Sequence, residues 1–215
     1  MAVRPAWRYH GGIVEICDFE FQWNGGFAVS QKRKNIAALH GAIMRRFGEN
    51  ALEISTKSLS ELGQRLSAFN LTLGGVILEC VFQSGKVFEN GGPYTDLLER
   101  SPKEAKRDER LKTSGKLTAF EYEGKRWGLE PRSAFYDHLY IKSVLEAFTE
   151  EEPEALGGYV WFTDIEFNPG KSINSQARAA ALLKAVRADG AKELLGDPEK
   201  WTKYHESKTR FSYSM

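Results

Sequence analysis

The chain has 215 residues, and its 30 Lys and Arg nearly balance its 29 Asp and Glu, for a formal net charge of +1. That length suits one globular domain with a real core, and the balance excludes a strong overall field for nucleic acid. Two cysteines exclude a disulfide framework, and no run approaches the ~20 apolar residues of a membrane span, so a cytoplasmic protein away from the membrane is expected.

"GIVEICDFEFQW" alternates and predicts a strand, ended by "NGG". Ser30 is then an expected N-cap for a helix through about Arg46, with Ile36, Leu39, Ile43 and Phe47 on one face. The start of that helix reads "QKRK". Gln31 and Lys34 are three apart and share a face, while Lys32 and Arg33 point elsewhere. Lys34 has two readings, a solvated surface lysine or an amine of depressed pKa able to act as a nucleophile.

Ser58 with Glu61 predicts a capping box and a second helix. "GGVILECVFQSGKVFE" reads as one or two strands, and "GGPYTDLLE" turns into a helix. In "SPKEAKRDERLK", Ser101, Pro102 and Glu104 form a strong helix start. "LTAFEYEGKRWGLE" predicts a hairpin around Glu123-Gly124, and "SAFYDHLYIKSVLEAF" an amphipathic helix. "GGYVWFTDIEF" is a strand running into the loop "NPGKSIN", and "SQARAAALLKAVRADG" is a helix closed by Gly190. The polar tail predicts a helix with a frayed end. Helices and strands without strict alternation indicate an α+β fold.

Asp164 and Glu166 follow the late strand and precede a helix. A strand end fixes a carboxylate and a loop leaves it accessible, so both are candidates for a site. The alternative is that Asp164 caps a turn and Glu166 is solvated. Lys171, Ser172 and Asn174 stand where unpaired N–H groups meet a phosphate, or where an N-cap simply belongs. Tyr94, Asp96, Tyr136 and Asp137 suit a base or ribose, or ordinary packing. His10, His40, His138 and His205 are scattered without metal-like spacing, so neither a metal nor another cofactor is expected.

In order, "GFAVSQKRKNIAALH", "SAFNL", "FENGGPYTDL", "SPKEAKRDER" and "FTDIEFNPGKSINSQA" resemble the NADAR superfamily, most closely the antitoxins associated with DarT-type DNA ADP-ribosyltransferases. The likeness spans roughly residues 13–187. Gln31 and Lys34 match two members of a family helix motif whose Glu falls on Phe27, and Asp164, Phe167 and Asn174 match a late Asp, Trp and Asn. The resemblance implies a mostly helical NADAR domain with a small antiparallel or mixed sheet over 1–190, and an extension over 191–215 packed on it or frayed. It also implies an N-glycosidase that removes ADP-ribose from guanine in DNA. The partners would be ADP-ribosylated DNA with an extruded or single-stranded guanine, the ADP-ribose product and a cognate toxin.

On that basis Lys34 would attack the anomeric carbon as a Schiff-base nucleophile. Asp164 would stabilise the cation or activate water, with Glu166 as second acid or base. Lys106, Arg107 and Lys171 would hold the diphosphate, Asn174 ribose or phosphate, and Tyr94 and Tyr136 would stack on a base. Two other readings stay open: a small-molecule N-glycosidase of riboflavin-pathway intermediates, and a non-catalytic antitoxin that binds toxin or modified DNA.

Overall fold

Residues 2–10 form a strand, β1 (Ala2–His10), that joins β2 (Ile13–Phe21) in a hairpin paired along its full length from Ala2–Phe21 to His10–Ile13. The turn is Gly11-Gly12, both at positive φ, which a two-residue hairpin of this twist demands. Pro5, which has no N–H to give a ladder, obscures the strand in the sequence. The computed structural model describes residues 1–148, 156–170 and 172–209.

After the hairpin come α1 (Val29–Phe47), β3 (Ala51–Glu53), α2 (Glu61–Arg65), the short pair β4 (Thr72–Leu73) and β5 (Val76–Ile77), α3 (Leu78–Ser84) and β6 (Lys86–Phe88). A 3₁₀ turn (Thr95–Glu99), α4 (Pro102–Arg107) and α5 (Arg110–Thr113) lead to β7 (Leu117–Tyr122), β8 (Lys125–Trp127) and α6 (Ala134–Ala147). The chain continues with β9 (Trp161–Thr163), α7 (Gln176–Ala188), a second 3₁₀ turn (Ala191–Gly196) and α8 (Pro198–Lys208).

The main sheet has the order β2-β1-β9-β3. β9 runs antiparallel to β1 and parallel to β3, with Glu53 opposite Thr163. Alternation along the strands splits the core between two faces. Trp7, Val14, Leu52 and Phe162 pack with α6 and α7 on one side, and Ala6, Phe19, Phe21 and Trp161 pack with Ile36, Leu39 and Ile43 of α1 on the other. A second, antiparallel sheet has the order β6-β7-β8. The expectation of a mostly helical α+β fold with small sheets holds.

The Glu123-Gly124 hairpin and the Ser101 capping box form as the sequence predicts, with Glu104 answering both the N–H and the hydroxyl of Ser101. Other elements differ. Helix α1 starts earlier, with Ala28 as N-cap and Ser30 inside. Ser58 caps no helix; it is buried, and its hydroxyl accepts from the Ser60 N–H instead. "LECVFQS" is helix rather than strand, buried at every residue. A short apolar run carries no period that separates the two states, and packing decides. Helix α6 is not amphipathic either, being buried continuously from Ala134 to Ile141 among α3, β4, α7 and α8.

The tail folds back on the domain. Trp201 of α8 is fully buried and its indole N–H donates to Ala134 O at 2.8 Å, while His138 meets Leu195 O at 2.8 Å.

Gly63 of α2 lies against the main-chain carbonyl of Glu53 and the Ser58 hydroxyl, with no room for a Cβ. Ala in a helix normally gains ~1 kcal/mol over Gly. Here overpacking costs ~1–3 kcal/mol and reverses the sign. Gly63→Ala is therefore expected to lower the urea midpoint of unfolding; a raised midpoint would contradict this packing.

Candidate active site

The parallel strands β3 and β9 end side by side, and each delivers a buried carboxyl: Glu53 from the last residue of β3, Asp164 from the residue after β9. Sites in α/β sheets collect at such carboxyl ends. Glu53 accepts from the Ser55 hydroxyl at 2.7 Å, the Thr163 hydroxyl at 2.7 Å and the Ile165 N–H at 2.9 Å. Because Thr163 donates to Glu53, its oxygen accepts from His40 Nε2 at 2.8 Å, which fixes the His40 tautomer as Nε2–H. Burial lowers His40 to about 4, so it sits there neutral. Glu53 thus ties α1, β3 and the turn that carries Asp164.

Asp164 Oδ1 accepts from the N–H groups of Glu166 and Phe167 at 3.1 and 3.2 Å, and its carboxyl also takes a hydrogen bond from Gln176. It does cap a turn, yet it also lines a cavity of about 1190 Å³. Burial first, then the neighbouring Glu53, raises Asp164 to about 8. Burial also raises Glu53, with Glu166 adding to the effect against the three hydrogen bonds it accepts. The two carboxyls titrate as a pair. Asp164 is the one facing the cavity, and burial and the neighbouring Glu53 both favour its protonated form.

The cavity runs from this pair to a second polar cluster built by α3 and β6. Glu79, in the buried run "LECVFQS", accepts from Gln83 at 2.8 Å, Lys86 donates to Gln83 at 2.7 Å, and Lys106 of α4 approaches Glu79 at 3.7 Å. Burial lowers the Lys86 amine, Glu79 opposes that, and Lys106 adds to it. Tyr136 of α6 lies between the clusters. Burial raises its hydroxyl well above the ordinary value, and both Glu79 and Asp164 contribute. Phe69, Phe82, Phe120 and Phe167 supply apolar walls. The volume exceeds the ~300–1,000 Å³ of common small-molecule sites and suits a nucleotide-sized ligand.

Of the residues singled out in the sequence, Lys106, Tyr136, Asp164, Glu166, Phe167, Ser172 and Asn174 line this cavity. Gln31, Lys34, Tyr94 and Arg107 do not. Lys34 is exposed, on the side of α1 opposite the buried stripe. Gln31 packs beside Gly26. Tyr94 bonds Ser114 and carries the Arg110 guanidinium 4.4 Å above its ring. Arg107 is exposed on α4. Lys171 lies outside the described residues. Within "QKRK" it is Lys32 that reaches the site, at 3.3 Å from Glu166 and 5.9 Å from the Trp23 ring centre. Counting back four from Ile36, on the buried face, lands on Lys32 and provides the signal for it. Glu53, Glu79 and Lys86 are the further site residues missed.

Among the described residues, no cluster of His, Cys, Asp or Glu is placed to hold a metal ion, and no helix is long and apolar enough to cross a membrane. A search of curated proteins finds no match. The model of one family, described as the DarT1-associated NADAR antitoxin, matches residues 2–213. Nearly the whole chain is covered, including the strands, α3 and α7 that build the cavity, and the chain belongs to the DarT1-associated NADAR antitoxin family.

Proposed function

We propose that this antitoxin is an N-glycosidase that hydrolyses ADP-ribose from ADP-ribosylated guanine in DNA, undoing the modification made by a DarT1-type toxin. The observation that carries the reading is a buried Asp164 facing a nucleotide-sized cavity, with burial and the neighbouring Glu53 both pushing its carboxyl toward the protonated form. Breaking a base–ribose bond leaves negative charge on the base nitrogen and positive charge on the anomeric carbon, so the reaction needs a proton donor that stays loaded at pH 7.

In this scheme the bond between the anomeric carbon and the guanine nitrogen breaks, and its electron pair leaves on nitrogen. Asp164 gives that nitrogen its proton. Water adds to the anomeric carbon and passes its proton to Glu166, held at the cavity rim by Lys32. Glu53 positions Asp164 and keeps its carboxyl raised. Lys57 and Lys86 take the diphosphate, and Asn174 a ribose hydroxyl. A guanine inside a duplex cannot enter such a cavity, so the substrate is single-stranded or extruded.

The test is multiple-turnover release of ADP-ribose from a modified single-stranded oligonucleotide, with a pyrimidine ribosylamine phosphate as the competing substrate. Complete clearance by substoichiometric protein is expected. Clearance limited to one equivalent would make the protein a binding antitoxin, and hydrolysis of the ribosylamine alone would make it a small-molecule enzyme. Borohydride added during turnover separates water attack from a lysine route. No adduct is expected; an adduct lost in Lys34→Gln or Lys86→Gln would give that amine the place of water.

A further inference from the structure

Phe69 is a large aromatic left 46% exposed at the cavity wall. Its position is fixed by its neighbour: the Ala68 N–H donates to Gln176 Oε1 at 2.8 Å, and Gln176 also bonds the Asp164 carboxyl. The ring therefore lines the same cavity as Asp164, one residue from the main-chain group that meets Gln176, and is itself exposed. Ile173, 48% exposed, joins it at the wall from the segment before α7.

A cation lies beside this ring. Lys106 Nζ is 5.9 Å from its centre. Lys103 is three residues before Lys106 and four before Arg107 on α4, so the three share one helix face, and all are exposed. The acid of that helix, Glu104, is taken up by its capping box with Ser101. Lys106 has a partner in Glu79 at 3.7 Å, while among the described residues Lys103 and Arg107 pair with no carboxylate. An exposed aromatic face next to a basic stripe matches single-stranded nucleic acid, whose bases stack and whose phosphates follow the cations. Its charge complements the stripe, which the near-neutral chain as a whole does not offer.

We propose that Phe69 is the stacking platform for a nucleobase adjacent to the modified guanine in a single strand, with Lys103, Lys106 and Arg107 along the neighbouring phosphates. The inference rests on the cavity being the site for ADP-ribosylated guanine, and it makes the strand around the target, not only the target, part of the substrate.

The test compares kcat/KM of wild-type protein and Phe69→Ala on two substrates: an ADP-ribosylated single-stranded oligonucleotide and ADP-ribosylated guanosine. Losing one stacked base lowers binding by about 5- to 150-fold. A loss in that range is expected for the oligonucleotide, at least about fivefold beyond any loss for the nucleoside, and recovery in Phe69→Trp. Equal losses on both substrates would overturn the proposal and place the adenine of ADP-ribose on Phe69. No loss on either would also overturn it. If wild-type protein hydrolyses neither substrate, the glycosidase reading has failed, and fluorescence anisotropy with an unmodified single strand decides the platform. Weaker binding by Phe69→Ala and by Lys103→Ser/Arg107→Ser supports it; unchanged binding overturns it.

Discussion

Asp164→Asn is expected to lower ADP-ribose release by about 10²–10⁴-fold, the usual contribution of a positioned general acid. Asn keeps the acceptor for the Glu166 and Phe167 N–H groups, so the turn survives while the transferable proton is lost. The same substitution has a second, independent signature in stability. Asp164 is raised in the folded protein from 3.8 to about 8. Between those values the folded state holds a proton that the unfolded state has released, so the wild-type protein loses stability as pH rises through this window. With each unit worth ~1.4 kcal/mol, coupling to Glu53 leaves a total on the order of a few kcal/mol. Asn removes that slope, and what remains belongs to Glu53. Urea midpoints at pH 5 and pH 8.5 check it: the variant gains on the wild type as pH rises. A constant difference would mean that Asp164 is ionised throughout.

Arg178→Met is expected to destabilise the fold by ~3–5 kcal/mol, the cost of stranding a buried charge. Arg178 of α7 donates to both oxygens of Asp137, at 3.1 and 3.0 Å, and His205 Nε2 donates to the same carboxyl at 2.8 Å. All three are buried. Burial alone would raise Asp137; the Arg178 charge, then His205, outweigh it and hold the carboxyl below its ordinary value. That stabilisation is present above the ordinary aspartate pKa and is lost as pH falls through the lowered one. The network joins α6, α7 and α8. Through Arg178 it also reaches the Ile173 carbonyl at 3.1 Å, on the segment that lines the cavity. Thermal melting reads the effect, expected at ~2–4 °C per kcal/mol for a chain of this size. Asp137→Leu added to Arg178→Met is expected to recover part of the loss, since an apolar pair has no charge to strand. A loss below ~1 kcal/mol for Arg178→Met would mean that water reaches the carboxylate.

The parts of this site visible in the sequence are those set by local chemistry. Asp164 and Glu166 stand out because an apolar strand stops there and a helix begins shortly after, and the Ser101 cap is readable because its partners are within three residues. Glu53 and Glu79 escaped because each sits in a run that reads as core. A lone Glu in "ALEIS" or "VILECVF" is itself a signal, since a buried carboxyl must be answered by hydrogen bonds or a cation. Ser55 and Gln83 answer them locally, but the partners that tie them to the site, Ile165 and Lys106, lie far along the chain. Lys32 escaped for a smaller reason. The family pattern drew attention to Lys34, while the apolar period of α1 extended backward falls on Lys32.

The central claim is that the proton for the leaving guanine comes from Asp164. The pH dependence of kcat/KM for ADP-ribose release from a modified single strand tests it most directly, because it reports the free protein's acid. A raised carboxyl at about 8 predicts a rate that holds through neutrality and falls tenfold per unit above that value, with this limb absent from the residual activity of Asp164→Asn. A wild-type profile already falling above pH 5, or the same alkaline limb persisting in Asp164→Asn, would contradict it.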